Sequence, residues 1–230
     1  MTARGSLLQV QIYVNRRPDE LSLAVIDELP SLAARTQRIA WISPLASEGF
    51  KEHRDAEFLR AVGREDLTPD LVKFWPARGP VWDALAVAVL PSGRPGVLLA
   101  EGKSYPDELY GGGSKAGKES RQKIAAALEW TQERLGAPRD AERWLGPLYQ
   151  TANRLAHLCW LREQGVEAWF VHLLFLDDRS YTPASRADWG DGLRRMEQDF
   201  GLELSTLEWV GHAFLPALAA EELTRQPTRA

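Results

Sequence analysis

Two carboxylates and an ammonium interrupt segments that otherwise read as buried strands. Gly79-Pro80-Val81-Trp82-Asp83 leads into an Ala, Val and Leu run up to Leu90, and after Pro91-Ser92-Gly93-Arg94-Pro95-Gly96 a second apolar run ends in Glu101-Gly102-Lys103. An ionised carboxylate in such a setting costs several kcal/mol of desolvation unless it is paired or bound to a metal. Side chains alternate faces along a strand, so Glu101 and Lys103 point the same way. A hairpin register that pairs odd positions with odd brings Asp83 to that face too. Two carboxylates a few ångströms apart form a hard-oxygen site suited to Mg2+ or Mn2+, whose charge cancels their mutual repulsion. A lysine beside them can orient or help deprotonate water, which completes the equipment for metal-assisted attack on a phosphodiester. The bland alternative has Asp83 capping a strand while Glu101 and Lys103 form a surface ion pair. The apolar flanks, residues 84–90 and 97–100, weigh against it.

Asp83 followed on the next hairpin strand by Glu101-x-Lys103 resembles the PD-(D/E)XK nuclease superfamily, whose fold is restriction-endonuclease-like. The resemblance spans about residues 52 to 178. It implies that Asp83 and Glu101 are metal ligands, that Gly102 lends its backbone carbonyl, that Lys103 serves the attacking water, and that Mg2+ is the cofactor with Mn2+ as a substitute. The family's core order is helix, three-stranded meander, helix, strand; here two helices separate Lys103 from the strand expected at Ala168. Gln150 and Arg154, one helical turn apart, resemble the family's Gln-x-x-x-Tyr element with Arg in place of Tyr, and are expected to meet the substrate phosphate. The acid that some members contribute from the first helix falls at Glu57 or Glu52. The proline that precedes the family's Asp is displaced to Pro80.

Other features are weaker. Lys115 and Lys118, with Arg121 and Lys123, follow the Gly111-Gly112-Gly113-Ser114 loop and are local candidates for phosphate contacts, against the alternative of a solvated helix start. Among nine tryptophans, Trp160, Trp169 and Trp209 lie in apolar runs and read as core, whereas Trp82 beside Asp83 is a candidate to stack on an unpaired base. His157 and Cys159, two apart on a helix, face different ways, and His53, His172 and His212 have no ligand spacing. The single cysteine excludes an intrachain disulfide.

The elements that must position these residues follow from periodicity. A chain of 230 residues with 44% hydrophobic and 26% charged residues has room for one large domain. Its net charge of -4 gives no global basic field, so any nucleic-acid contact must be a local patch. No apolar run is long enough to span a bilayer, and the N-terminus lacks the apolar stretch of a signal peptide, so a cytoplasmic chain without membrane contact is expected. Leu8, Val10, Ile12 and Val14 alternate with Gln9, Gln11 and Tyr13 as a strand would. A helix over 18–35, interrupted at Pro30, and a strand over 38–43 complete a β-α-β extension in residues 1–50, packed on the core. Residues 51–220 form that core: a short helix in 51–62, a turn from Thr68, the hairpin, helices over 118–135 and 148–164, a strand over 168–176, a helix over 185–200 and a strand over 208–215. Residues 221–230 are expected to be a frayed tail. The expected fold class is α/β, and the resemblance implies a restriction-endonuclease-like central mixed sheet flanked by helices. The expected function is a Mg2+-dependent nuclease hydrolysing DNA, with a homodimer left open. The alternative is a non-catalytic binding or scaffolding protein on the same fold.

Overall fold

The computed structural model describes residues 4–36 and 38–224. Helices α1 (Gly5–Arg16), α2 (Pro18–Glu28) and α3 (Pro30–Ala33) precede strand β1 (Arg38–Ser43). After α4 (Asp55–Ala61) and α5 (Thr68–Phe74) comes the hairpin of β2 (Ala84–Val89) and β3 (Pro95–Lys103). Helices α6 (Lys118–Leu135), α7 (Ala141–Leu145) and α8 (Tyr149–Glu163) lead to β4 (Ala168–Leu176). Helix α9 (Arg186–Phe200), strand β5 (Val210–Pro216) and the short α10 (Glu221–Thr224) end the described chain. The strands form one open sheet in the order β1-β2-β3-β4-β5. The first three are an antiparallel meander, and β4 and β5 run parallel to β3.

Strand alternation divides the core into two layers. Ala84, Ala86, Ala88, Leu98, Ala100, Val171 and Leu173 face α1 and α2, and Leu85, Val97, Leu99, Phe170 and Leu174 face the cluster that holds α4, α5, α6, α8 and α9. The small side chains on β2 let the N-terminal helices lie close. Gly102 shows the same constraint at its limit, since a Cβ there would sit 2.5 Å from Cγ2 of Val10. The residue between Glu101 and Lys103 is glycine because α1 lies across it.

The N-terminal 50 residues are not a β-α-β extension. The alternating segment is helix α1, and β1 is the first strand of the central sheet rather than part of an appendage. The misleading signal has a physical origin: α1 is buried from Leu8 to Val14 on every side, so its apolar pattern carries no helical stripe. Its Gln9 and Tyr13 are satisfied by chain that arrives from the far end of the sequence. Gln9 donates to the carbonyl of Leu218 at 3.0 Å and accepts from the Leu218 N–H at 2.8 Å, and the Tyr13 hydroxyl donates to the carbonyl of Pro216 at 2.7 Å. Pro30 divides the expected 18–35 helix by opening α3 at its first turn, where its missing N–H costs nothing. Residues 221–224 are helical rather than frayed, and 225–230 lie outside the described residues. Helix α7, with Asp140 capping it through the Arg143 N–H, is too short to show in the periodicity.

Candidate active site

The hairpin pairs odd positions with odd: Leu85 lies opposite Leu99, and the register extends to Asp83 opposite Glu101. Asp83, Glu101 and Lys103 consequently share the face that carries α8. Strand β2 begins at Ala84, so the Gly102 N–H has no strand partner there, and Oδ2 of Asp83 accepts it at 2.9 Å. The Lys103 ammonium donates to Oε1 of Glu101 at 3.0 Å and to Oε1 of Gln150 at 2.5 Å. Glu101 and Lys103 are buried, at 2% and 4% exposure, which removes the surface ion pair as a description.

Arg154 reaches Oε2 of Glu101 through Nε at 2.8 Å and Nη2 at 2.7 Å. Nη1 donates to Oδ1 of Asn153 at 2.6 Å and Nη2 to the carbonyl of Val81 at 2.8 Å, and the guanidinium lies 5.1 Å from the Trp82 ring centroid. The structure thus brings Gln150 and Arg154 to Lys103 and Glu101, but it spends Arg154 on Glu101 instead of leaving it for a phosphate. Trp82 is fully buried and cannot stack on a base. Its backbone N–H donates to the His53 carbonyl, an isolated antiparallel bridge that sets Glu52 beside Asp83.

The bridge places the two candidate acids differently, and Glu52 lies ahead of α4 rather than on it. Glu57 is exposed and paired with Lys51 at 3.1 Å, away from the site. Glu52 is half-buried and close enough to feel both Glu101 and Arg154. Lys115 and Lys118 are exposed and make none of the contacts that build the site; the loop before them is tied to the α7–α8 connection by the Gly111 N–H to Pro147 O and the Ser114 N–H to Leu145 O. His157 belongs to the core. Its Nδ1 meets the Asn153 carbonyl at 2.8 Å, its ring lies 4.8 Å from Trp75, and burial pushes its pKa down to about 3.

Electrostatics separate the two hairpin carboxylates. Burial and the neighbouring charge of Glu101 push Asp83 up to about 8, with Lys103 and Arg154 offsetting only part. Burial would also raise Glu101, but Arg154 and Lys103 overcome it and hold that carboxyl below its usual range. Burial raises Glu108 as well, whose Oε2 accepts the Ser104 N–H at 2.6 Å. A cavity of about 350 Å³ opens onto Asp83, Glu101, Gly102, Lys103 and Gln150, with Tyr105, Asp107 and Glu108 also in its wall. Asp83, Glu101, Asp107 and Glu108 are the carboxylates of this wall; among the described residues no group of three or more His, Cys, Asp or Glu side chains is arranged to hold a metal ion.

Spacing gave no hint of the histidines beside this cluster. In the parallel registers His172 of β4 lies opposite Glu101 on one side and His212 of β5 on the other. The two Nδ1 atoms are 3.2 Å apart, Thr151 Oγ1 stands 3.3 Å from Nε2 of His172, and Nε2 of His212 is buried without a partner. Burial, then His212, Lys103 and Arg154, keep His172 neutral. Only strand register could have revealed the pair.

Among the described residues no helix is long and apolar enough to cross a membrane. Comparison with models of known families, with curated proteins and with solved structures finds no match to this chain.

Proposed function

We propose that this chain is a divalent-metal-dependent nuclease of restriction-endonuclease-like fold, hydrolysing DNA phosphodiester bonds. The observation that carries the reading is the convergence of Asp83, Glu101, Lys103 and Gln150 on one cavity. The sheet supports it: an antiparallel three-stranded meander followed by helices and a parallel strand agrees with the core order of the PD-(D/E)XK superfamily, with α1 and α2 ahead of the meander.

Asp83, one oxygen of Glu101 and the Gly102 carbonyl would hold Mg2+, which when bound supplies a Lewis acid for the phosphate and lowers the pKa of water. Asp83 must lose its proton to serve as a ligand, so cation uptake and proton release are linked. Lys103 uses two of its three N–H bonds on Glu101 and Gln150, which leaves one for the attacking water or a phosphate oxygen. Gln150 fixes the ammonium from α8, and the tether from the Gly102 N–H to Asp83 fixes the distance between the strands.

The acidic wall formed by Asp107 and Glu108 favours a second reading, a non-catalytic binding or scaffolding protein. Incubation of labelled DNA with and without Mn2+ separates the two. Mn2+-dependent fragments from the wild type and none from Asp83→Ala are expected; intact DNA in both would leave the second reading standing.

A further inference from the structure

We infer that a second cleft, beside the cavity over Asp83, binds an unpaired nucleobase with an exocyclic amino group, so that the substrate is single-stranded DNA. The inference rests on the reading above, from which it takes a DNA strand held at Lys103. This cleft, of about 510 Å³, lies between residues 105–107, residues 182–184 and α9, and it shares Tyr105 and Asp107 with the cavity over Asp83 and Lys103. Its volume falls in the range of small-molecule sites. Because Tyr105 lines both spaces, a phosphate at Lys103 and a base at Tyr105 can belong to adjacent parts of one strand.

Charge decides which part of a nucleotide enters. Asp107, Asp188 and Asp191 line the second cleft against one cation, Arg195, which is already bonded to Asp107 at 3.1 Å. Such a wall repels a phosphate and accepts hydrogen bonds from a base. Asp188 is the fixed acceptor of the three. Its Oδ2 takes the N–H and the hydroxyl of Ser185 at 2.8 and 2.7 Å in the cap of α9, and those bonds hold the carboxyl below its usual range. No donor among the described residues takes its Oδ1. Cytosine and adenine offer an amino donor where thymine offers a carbonyl oxygen. Tyr105 supplies the stacking plate. Its half-buried ring is backed by Tyr181 at 5.4 Å between centroids, and Tyr181, 44% exposed, has the Arg4 guanidinium 5.1 Å from its own ring. Bases stack on such rings, and a paired base must first leave its duplex to enter a cleft.

Fluorescence anisotropy on the full chain, in Ca2+ instead of Mn2+, tests this by binding alone. The probes are labelled oligodeoxycytidylate, oligodeoxythymidylate and a duplex of the same length. The wild type should bind the cytosine strand about tenfold more tightly than the thymine strand, and both more tightly than the duplex. Tyr105→Leu should weaken both strands by about tenfold, since it removes the stacking ring. Asp188→Asn keeps an acceptor for Ser185 but turns the other oxygen into an N–H donor, and it should reverse the order of the two strands. Tighter binding of the duplex, equal affinity for the two strands, or wild-type affinity in a folded Tyr105→Leu would each overturn the inference and leave the nuclease reading to its own cleavage test. Cytosine-selective binding without any Mn2+-dependent cleavage would overturn the nuclease reading and keep the base site. Binding of neither strand nor duplex would overturn both. Should Tyr105→Leu fail to fold, the wild-type order of the three probes still decides.

Discussion

Arg154 and Glu101 form a buried ion pair between α8 and β3, with Nε donating to Oε2 at 2.8 Å and Nη2 standing 2.7 Å from the same oxygen. The pair couples helix position to the chemistry of the strand, because a shift of α8 would leave the carboxylate with Lys103 as its remaining counter-ion. Charge-assisted contacts of this kind combine strength with a fixed direction.

Breaking that pair from one side should be expensive. Arg154→Met leaves Glu101 buried with Lys103 alone, and a loss of about 3–5 kcal/mol in urea unfolding is expected for removing one partner of a buried pair. Adding Glu101→Gln should restore more than half of the loss, since the stranded charge is gone. Strictly additive losses in the two variants would mean that the residues do not act as a pair.

Lys103→Ala should separate chemistry from binding. Cleavage in Mn2+ should fall by about a hundredfold or more, the scale of a positioned proton donor or acceptor, while Mn2+ binding and DNA affinity hold. Single-turnover rates beside a filter-binding curve measure both. Wild-type turnover in this variant would remove Lys103 from the chemical step.

Gly102→Ala should destabilise the fold through α1 rather than through the sheet, because the added methyl meets Cγ2 of Val10 at 2.5 Å. Overpacking of this kind costs about 1–3 kcal/mol. Val10→Ala in the same chain should relieve most of it. Thermal unfolding of the two single variants and the double variant gives the coupling, and its absence would show that α1 does not press on the strand.

Acid should loosen the native state through its buried histidines. His157 and His212 have native pKa values of about 3 and about 4 against an ordinary 6.5, so between those limits the unfolded chain binds more protons. Their contribution is fully present above about 6.5 and fades on acidification, by up to about 1.4 kcal/mol per pH unit for each histidine. Asp83 acts in the opposite sense, since its pKa rises from 3.8 to about 8 and its native form keeps a proton that the unfolded chain releases. The Asp83→Asn variant should therefore lose stability more steeply than the wild type between pH 6.5 and 4 in urea titrations. Parallel profiles would contradict the assignment.

Local chemistry made much of this protein readable in one dimension. The hairpin was legible because Pro91 to Gly96 separate two β-prone runs, α6 because Gly136 ends it in a left-handed conformation with φ 67, and β4 because residues 168–176 are apolar apart from His172. Asp83, Glu101 and Lys103 stood out because charge inside an apolar run needs a partner, and Gln150 because it stands one helical turn from Arg154 in a polar pair that resembles a Gln-x-x-x-Tyr element. What the residues could not show by themselves was decided by contacts between segments far apart in the chain. Helix α1 read as a strand because the groups that satisfy Gln9 and Tyr13 belong to residues 216–218. Glu52 was separated from Glu57 by the backbone bridge from His53 to Trp82, and His172 met Glu101 and His212 through parallel pairing that has no local signature. Arg154 could be expected near the site from its turn of helix, but its partner was a matter of distance in space: a guanidinium in a low-dielectric layer goes to the nearest buried carboxylate, and only the packing of α8 on the sheet makes that carboxylate Glu101.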